Sequence, residues 1–281
     1  MSLMWGTLDT RTGVFGTPPG GVGLRSHDRC RRSSLPATLI AMNHITFTFQ
    51  YMMRRTENVW RPSGAEIFAT FNGVSGDGLT ALTPAEHRML FQHILHEAGS
   101  IAEALPSQAA PCLFTMNLDP CAVEAFAPGG FVDTVLLNTA AADLLDAGWL
   151  PCIEITERGD IQNGCAVLCA AARAAGFMIA LDDVDLSCSR LAEFAAYDLG
   201  APEVVKLAAE WLNNPAVLVS GLALLEEYFS SSHVVVEGVQ TGSDLSMLQC
   251  VASARRLSVQ GFALHCPQRV EPVETVVRSA V

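Results

Sequence analysis

Eight short runs of β-branched, aromatic and other apolar residues recur along the chain, and longer helical patterns separate most of them. The runs cover residues 45–51, 65–71, 113–118, 152–156, 177–181, 204–207, 234–236 and 258–262. Helical patterns occupy 84–105, 132–147, 161–175, 215–229 and 242–256, with Pro84 opening the first and Gly176 closing the third. Alternating strands and helices build a parallel sheet covered by helices. Eight strands in about 240 residues predict a closed α/β barrel, the (β/α)₈ or TIM type, rather than an open sheet. A dinucleotide-binding sheet is disfavoured because no G-x-G-x-x-G follows the first strand.

The 281 residues suffice for one large core, and 50% hydrophobic with 16% charged residues describes a globular chain. Residues 1–41 mix Arg25, Arg31 and Arg32 with a Thr17–Gly21 stretch rich in Pro and Gly, and show neither helical nor strand period. They are expected to form an unstructured leader, or sequence ahead of a natural start at Met42. The barrel domain is expected over 42–281. A net charge of -12 excludes the basic surface that a nucleic-acid polymer requires, but leaves room for a small phosphate ligand held through metal ions. No apolar run approaches the roughly 20 residues of a membrane span. The nine cysteines include no C-x-x-C pair, so they are expected to be buried thiols in a reducing cytoplasm.

Almost every strand ends in or contains one polar residue that a barrel core would not otherwise admit. These are Glu66, Asn117, Glu154, the pair Asp182–Asp183, Lys206, Glu237 and Gln260. The C-terminal ends of barrel strands meet at one mouth, so residues far apart in sequence are expected to converge there. Several carboxylates so placed repel one another unless a cation neutralises them. Hard oxygen donors in that number suit Mg²⁺, Mn²⁺ or Ca²⁺ better than zinc, and the paired aspartates suit a two-metal site. Any single acid could equally be a helix cap or a surface ion pair. For Glu154 and Glu237, inside apolar runs, that alternative is costly.

At these positions the sequence resembles the EAL domain family, bacterial hydrolases of cyclic di-GMP. Glu66 stands where that family has the glutamate of its Glu-Ala-Leu motif. Met116-Asn117-Leu118, Glu154-Ile155-Thr156-Glu157, Ala180-Leu181-Asp182-Asp183, Val205-Lys206-Leu207, Val236–Thr241 and Gln260-Gly261-Phe262 follow its other segments in order. The resemblance implies that Glu66, Asn117, Glu154, Asp182, Asp183 and Glu237 are metal ligands for Mg²⁺ or Mn²⁺, with Ca²⁺ as an inhibitory substitute. It implies that Lys206 acts near the attacking water, that Gln260 assists at the mouth, and that Glu157 supports the loop after the paired aspartates. Gln50 and Thr70 would face the substrate, cyclic di-GMP, and a homodimer is a further implied partner. The chain departs from the family pattern in that loop, where Val184-Asp185-Leu186-Ser187 replaces a glycine-containing segment. It departs again at Tyr51, at Ala208, in the segment from Gly73 to Gly78, and at Thr70, where an arginine ordinarily grips a ligand phosphate.

The expected function is therefore metal-dependent hydrolysis of cyclic di-GMP to the linear dinucleotide. The alternative is a catalytically inactive module of the same type that binds cyclic di-GMP or a protein partner. A metal-dependent barrel acting on another substrate is a third reading, because fold alone does not fix function. His87, His93 and His96 share one helical stretch, and are expected to be exposed or capping imidazoles rather than zinc ligands.

Overall fold

The computed structural model describes residues 41–106, 111–124, 133–158, 163–185, 187–197, 199–252 and 257–279. Apart from Ala41, the expected leader lies outside the described residues. Eight strands close into a barrel: β1 (Ala41–Thr56), β2 (Val59–Phe71), β3 (Cys112–Leu118), β4 (Trp149–Ile155), β5 (Met178–Val184), β6 (Val204–Leu207), β7 (His233–Val236) and β8 (Leu257–Gln260). From β2 to β8 every neighbouring pair is parallel. All eight expected strands are present, but the expectation of a wholly parallel sheet is corrected at β1. That strand runs antiparallel to both β2 and β8.

The cause is local. Only Glu57 and Asn58 separate β1 from β2, and both have positive φ, 51° and 66°. Two left-handed residues match the right-handed twist of a tight hairpin. A parallel return would need a crossover of a dozen or so residues. A ninth strand, β9 (Gln268–Ser279), which the sequence reading did not anticipate, pairs antiparallel with the first half of β1.

Among the described residues seven α-helices accompany the strands: α1 (Pro84–Ala104), α2 (Pro120–Glu124), α3 (Thr134–Asp146), α4 (Asn163–Ala174), α5 (Ser189–Ala196), α6 (Pro215–Tyr228) and α7 (Gly242–Ala252). The five longer ones correspond to the expected stretches. Short α2 and α5 were not anticipated. The start of α1 is fixed by a capping box: Glu86 N–H donates to Thr83 Oγ1 (3.3 Å) while Thr83 N–H donates to Glu86 Oε2 (2.8 Å), with Pro84 in the first turn. Among the described residues no helix is long and apolar enough to cross a membrane.

Strand alternation sorts side chains into two cores. Outward-facing residues such as Ile45, Phe47, Ile67, Phe114, Met116, Ile153 and Leu181 pack with the helices. Inward-facing Met52, Leu113, Cys152, Ala180, Val204 and Val235 form a small apolar layer inside the barrel. Stepping two residues along β3 to β7 from that layer reaches Thr115, Glu154, Asp182, Lys206 and Glu237. A greasy plug thus sits directly beneath a polar mouth. Cys165 and Cys169 on α4 are buried, as expected of packing thiols, and burial beside Cys165 pushes the Cys169 thiol up to about 12.

The α1 imidazoles differ from expectation, since His87 and His93 are both buried. His93 stacks on Phe47 with ring centroids 6.1 Å apart, and its Nε2 has no hydrogen-bond partner. Burial, with a smaller contribution from His96, holds its pKa below the ordinary value, while Glu97 opposes the shift. The unfolded chain therefore takes up a proton that the native state resists, so stability is full above the unfolded histidine pKa and lost as pH falls below it. His93→Leu is expected to lose less stability than wild type between pH 7.5 and 5.5. Denaturant melts at the two pH values check this.

Candidate functional site

All but Glu154 of the polar residues expected from the strand ends line one cavity of about 280 Å³ at the mouth. Its walls include Gln50, Glu66, Asn117, Glu157, Arg158, Asp182, Asp183, Lys206, Glu237 and Gln260. Each strand delivers its residue by position. β2 contributes Glu66, β3 Asn117, β5 Asp182, β6 Lys206 and β8 Gln260, while Glu237 directly follows β7. Glu154 of β4 is fully buried within the same cluster. Antiparallel β1 enters from the opposite direction, yet Gln50 arrives at the same level, paired in register with Glu66.

The ammonium of Lys206 occupies the centre. Its Nζ lies 2.8 Å from Glu66 Oε2, 2.6 Å from Glu154 Oε1, 3.1 Å from Asp182 Oδ1 and 2.8 Å from Glu237 Oε1. Glu66 is the second hub. It also accepts from Gln260 Nε2 (2.8 Å) and Asn117 Nδ2 (3.0 Å), and Gln260 Nε2 in turn reaches Gln50 Oε1 (3.2 Å). Gln50 is anchored by donating its own amide to the His265 carbonyl at 2.7 Å.

One cation against four carboxylates leaves the cluster short of positive charge. Burial, with the charges of Asp182 and Glu66, pushes Glu154 well above the usual carboxylate range. Burial likewise raises Glu237 against the opposing pull of Lys206, with Asp182 and Glu66 adding to the rise. Burial alone would depress Lys206, but Asp182, Glu154, Glu237 and Glu66 outweigh it and hold the ammonium well above its ordinary value. Asp182 is the carboxylate that stays lowered: burial works against it, and the Lys206 charge and hydrogen bond prevail.

Asp182 and Asp183 form a bulge, because the β5–β6 register breaks between Leu181 and Val184. An extra residue there bends the strand and re-aims its side chains. Asp182 turns inward to Lys206, and Asp183 takes a φ of 47° and faces the open cavity. The loop that follows lacks glycine, and Cys188 supplies its second left-handed residue, with φ 54°. Ser187 Oγ donates to Asp185 Oδ1 (2.7 Å) and accepts from Ser189 N–H (3.2 Å), leading into α5. Leu186 lies outside the described residues. Below the loop, Trp211 Nε1 donates to the Val184 carbonyl at 2.7 Å and ties the bulged strand to the wall.

Glu157 lines the cavity, and its carboxyl is raised by burial and by Asp182. Thr70 is not among the lining residues; it lies further along β2, opposite Thr46 of β1. The sequence reading missed Arg158 and Phe68, which also line the cavity. For Arg158 the available signal was its place directly after Glu157, at the mouth end of β4.

Among the described residues, no group of three or more His, Cys, Asp or Glu stands ready as a metal cage, since Lys206 fills the middle of the carboxylates. The donor chemistry nevertheless fits a hard divalent ion. Asn117 Oδ1, Glu154 Oε2 and Gln260 Oε1 are buried oxygens with no hydrogen-bond partner, beside an excess of carboxylates. Buried acceptors without donors are rare, and oxygen-rich sets of this kind suit Mg²⁺, Mn²⁺ or Ca²⁺.

No protein-family model matches the chain, and no curated protein matches it. Solved structures do. Klebsiella pneumoniae BlrP1, in a manganese and cyclic di-GMP complex, aligns with a TM-score of 0.57 at 22% identity over 87% of this chain and 60% of its own. Bacillus subtilis YkuI, a protein with an EAL domain solved with substrate cyclic di-GMP and calcium, aligns with a TM-score of 0.57 at 17% identity, over 80% of this chain and 56% of its own. A standalone EAL protein from Vibrio cholerae O395, in its cyclic di-GMP-bound form, gives 0.55 at 16% identity over 82% and 94%. The chain thus spans little more than half the length of BlrP1 and YkuI, and nearly all of the Vibrio protein. At these identities the likeness is one of fold: the chain folds as the mixed eight-stranded barrel found in solved EAL-domain proteins.

Proposed function

We propose that this chain is a divalent-metal-dependent phosphodiesterase that adds water across one phosphodiester bond of cyclic di-GMP, releasing the linear dinucleotide. The observation that supports this best is the convergence of Glu66, Glu154, Asp182 and Glu237 on one point at the mouth of an EAL-type barrel. Glu66, Asn117, Glu154, Asp182, Asp183 and Glu237 would hold Mg²⁺ or Mn²⁺. The ion would neutralise phosphate charge and lower the pKa of a bound water.

The chain's own residues divide the remaining work. Lys206 keeps the carboxylates assembled beside the place of the attacking water. Gln260 and Gln50 fix the orientation of Glu66 through their amides. Glu157 supports the rim next to the paired aspartates. A cytoplasmic setting, where a soluble second messenger is available, fits this role.

Glu66→Gln and Asp182→Asn each keep size while removing one charge and turning one acceptor oxygen into an amide donor. Each is expected to lower turnover of cyclic di-GMP with Mg²⁺ or Mn²⁺ by more than about 100-fold, since loss of a mere outer partner to a metal site costs 10- to 100-fold. Chromatographic separation of the cyclic and linear dinucleotides measures it, and unchanged turnover in both variants would contradict the assignment.

Two observations favour the second reading, a binding module without chemistry. Lys206 already neutralises part of the cluster from its centre, and Thr70 leaves the cavity without an arginine from β2. In that case the barrel would bind cyclic di-GMP and leave it intact.

A further inference from the structure

Among the described residues the cavity is lined by five carboxylates, Glu66, Glu157, Asp182, Asp183 and Glu237, and by two cationic side chains, Lys206 and Arg158. A phosphodiester carries negative charge, so something in this anionic wall must offer it a positive contact. Lys206 has little left to offer. An ammonium has three donors, and four carboxylates already crowd it within 3.1 Å on a side chain only 1% exposed.

Arg158 is different. Among the described residues its hydrogen bond runs from Nη1 to Asp119 Oδ1, and at 3.3 Å it is long. Asp119 is better served by its other partners, Thr156 Oγ1 at 2.6 Å and His87 Nδ1 at 2.8 Å. Arg158 Nε lies 3.8 Å from Glu157 Oε1, beyond hydrogen-bonding distance, and has no hydrogen-bond partner. Among the described residues Nη2 has none either. With five donors on a guanidinium, Arg158 keeps most of its capacity unused by the described residues while its side chain, 17% exposed, lines the cavity. A planar fork of unused N–H groups is the arrangement that takes two oxygens of one phosphate.

We propose that Arg158 grips a phosphate of the ligand, supplying from the end of β4 the charged contact that Thr70 does not supply from β2. This rests on the reading of the cavity as a cyclic dinucleotide site. The ligand would draw the guanidinium away from its two neighbouring anions, Asp119 at 3.3 Å and Glu157 at 3.8 Å, and would leave the Asp119 contacts to His87 and Thr156 in place.

The test is calorimetric titration of the full chain with cyclic di-GMP in EDTA, so that no metal-dependent turnover consumes the ligand. Arg158→Met is expected to weaken binding by about 10- to 100-fold, the usual effect of losing hydrogen bonds to a charged partner. Arg158→Lys keeps the charge without the fork and should fall between the two. It also serves as the readout if the methionine variant does not fold. Asp119→Asn separates a ligand contact from a structural one. It breaks the Asp119–Arg158 ion pair but keeps the guanidinium, so binding should equal or exceed that of wild type. Equal affinity in wild type and both Arg158 variants overturns the proposal and leaves the cavity reading standing. Equal weakening by Arg158→Met and Asp119→Asn also overturns it, because the pair would then matter only as a brace. Absence of binding by wild type itself would remove the cavity reading, and this proposal with it.

Discussion

Lys206→Met is expected to destabilise the metal-free protein by about 3–5 kcal/mol, the range seen when one partner of a buried charge pair is removed. Methionine nearly matches the length of the lysine stem, so the loss is electrostatic rather than a packing defect. Four carboxylates then face one another with no cation between them, although each sits on, or directly after, a strand that holds it in place. Mn²⁺ or Mg²⁺ should restore part of the loss, because a bound ion stabilises the native state in proportion to its occupancy. Chemical denaturation of wild type and variant, with EDTA and with millimolar metal, checks both statements. A variant as stable as wild type in EDTA would mean that the cluster does not need its central charge.

Gly261→Ala is expected to be nearly as damaging, by about 3 kcal/mol or more. A Cβ on Gly261 would lie 2.1 Å from the Val239 carbonyl oxygen and 2.5 Å from its nitrogen, and these are backbone atoms that cannot swing aside. The residue before it is Gln260, whose carbonyl accepts from Val239 N–H at 3.0 Å, so relief of the clash must separate the ends of β7 and β8. Glu237 and Gln260 would lose their common register. Thermal unfolding should show the destabilisation, and any soluble variant should have lost most of its affinity for divalent metal. Wild-type stability in Gly261→Ala would show that the close approach is not needed.

Much of this barrel could be read from the chain because its strands are short, apolar and regularly spaced, and a parallel barrel turns order in sequence into order around a ring. Glu66, Asn117, Glu154, Asp182, Lys206 and Glu237 could be placed at one mouth for that reason alone. The direction of β1 was less accessible. Hydrophobic alternation is the same whichever way a strand runs, and the deciding signal was the short Glu57–Asn58 link, which lies within a stretch of residues 52–64 left without an assigned strand or turn. The extra strand β9 pairs along an edge, and residues 268–279 mix Pro, Glu and Arg with valine, so no apolar period marked it out.

The central place of Lys206 was equally hard to see. A lysine within an apolar strand announces a buried partner, but only the closed barrel shows that it has four. Arg158 lies just past β4 with no period to flag it, and its importance depends on which donors Asp119 leaves unused. The loop after Asp182 and Asp183 illustrates the reverse case. Its missing glycines predicted a different path, and the structure meets the need with Asp183 and Cys188 in left-handed conformations.

The most direct test of the account is the fate of cyclic di-GMP incubated with the purified chain in separate reactions containing Mg²⁺, Mn²⁺, Ca²⁺ or EDTA. Linear dinucleotide should accumulate with Mg²⁺ and Mn²⁺, and not with EDTA or Ca²⁺. Cyclic di-GMP that binds the protein yet stays intact for hours with Mg²⁺ and Mn²⁺ would contradict hydrolysis and identify the barrel as a binding module.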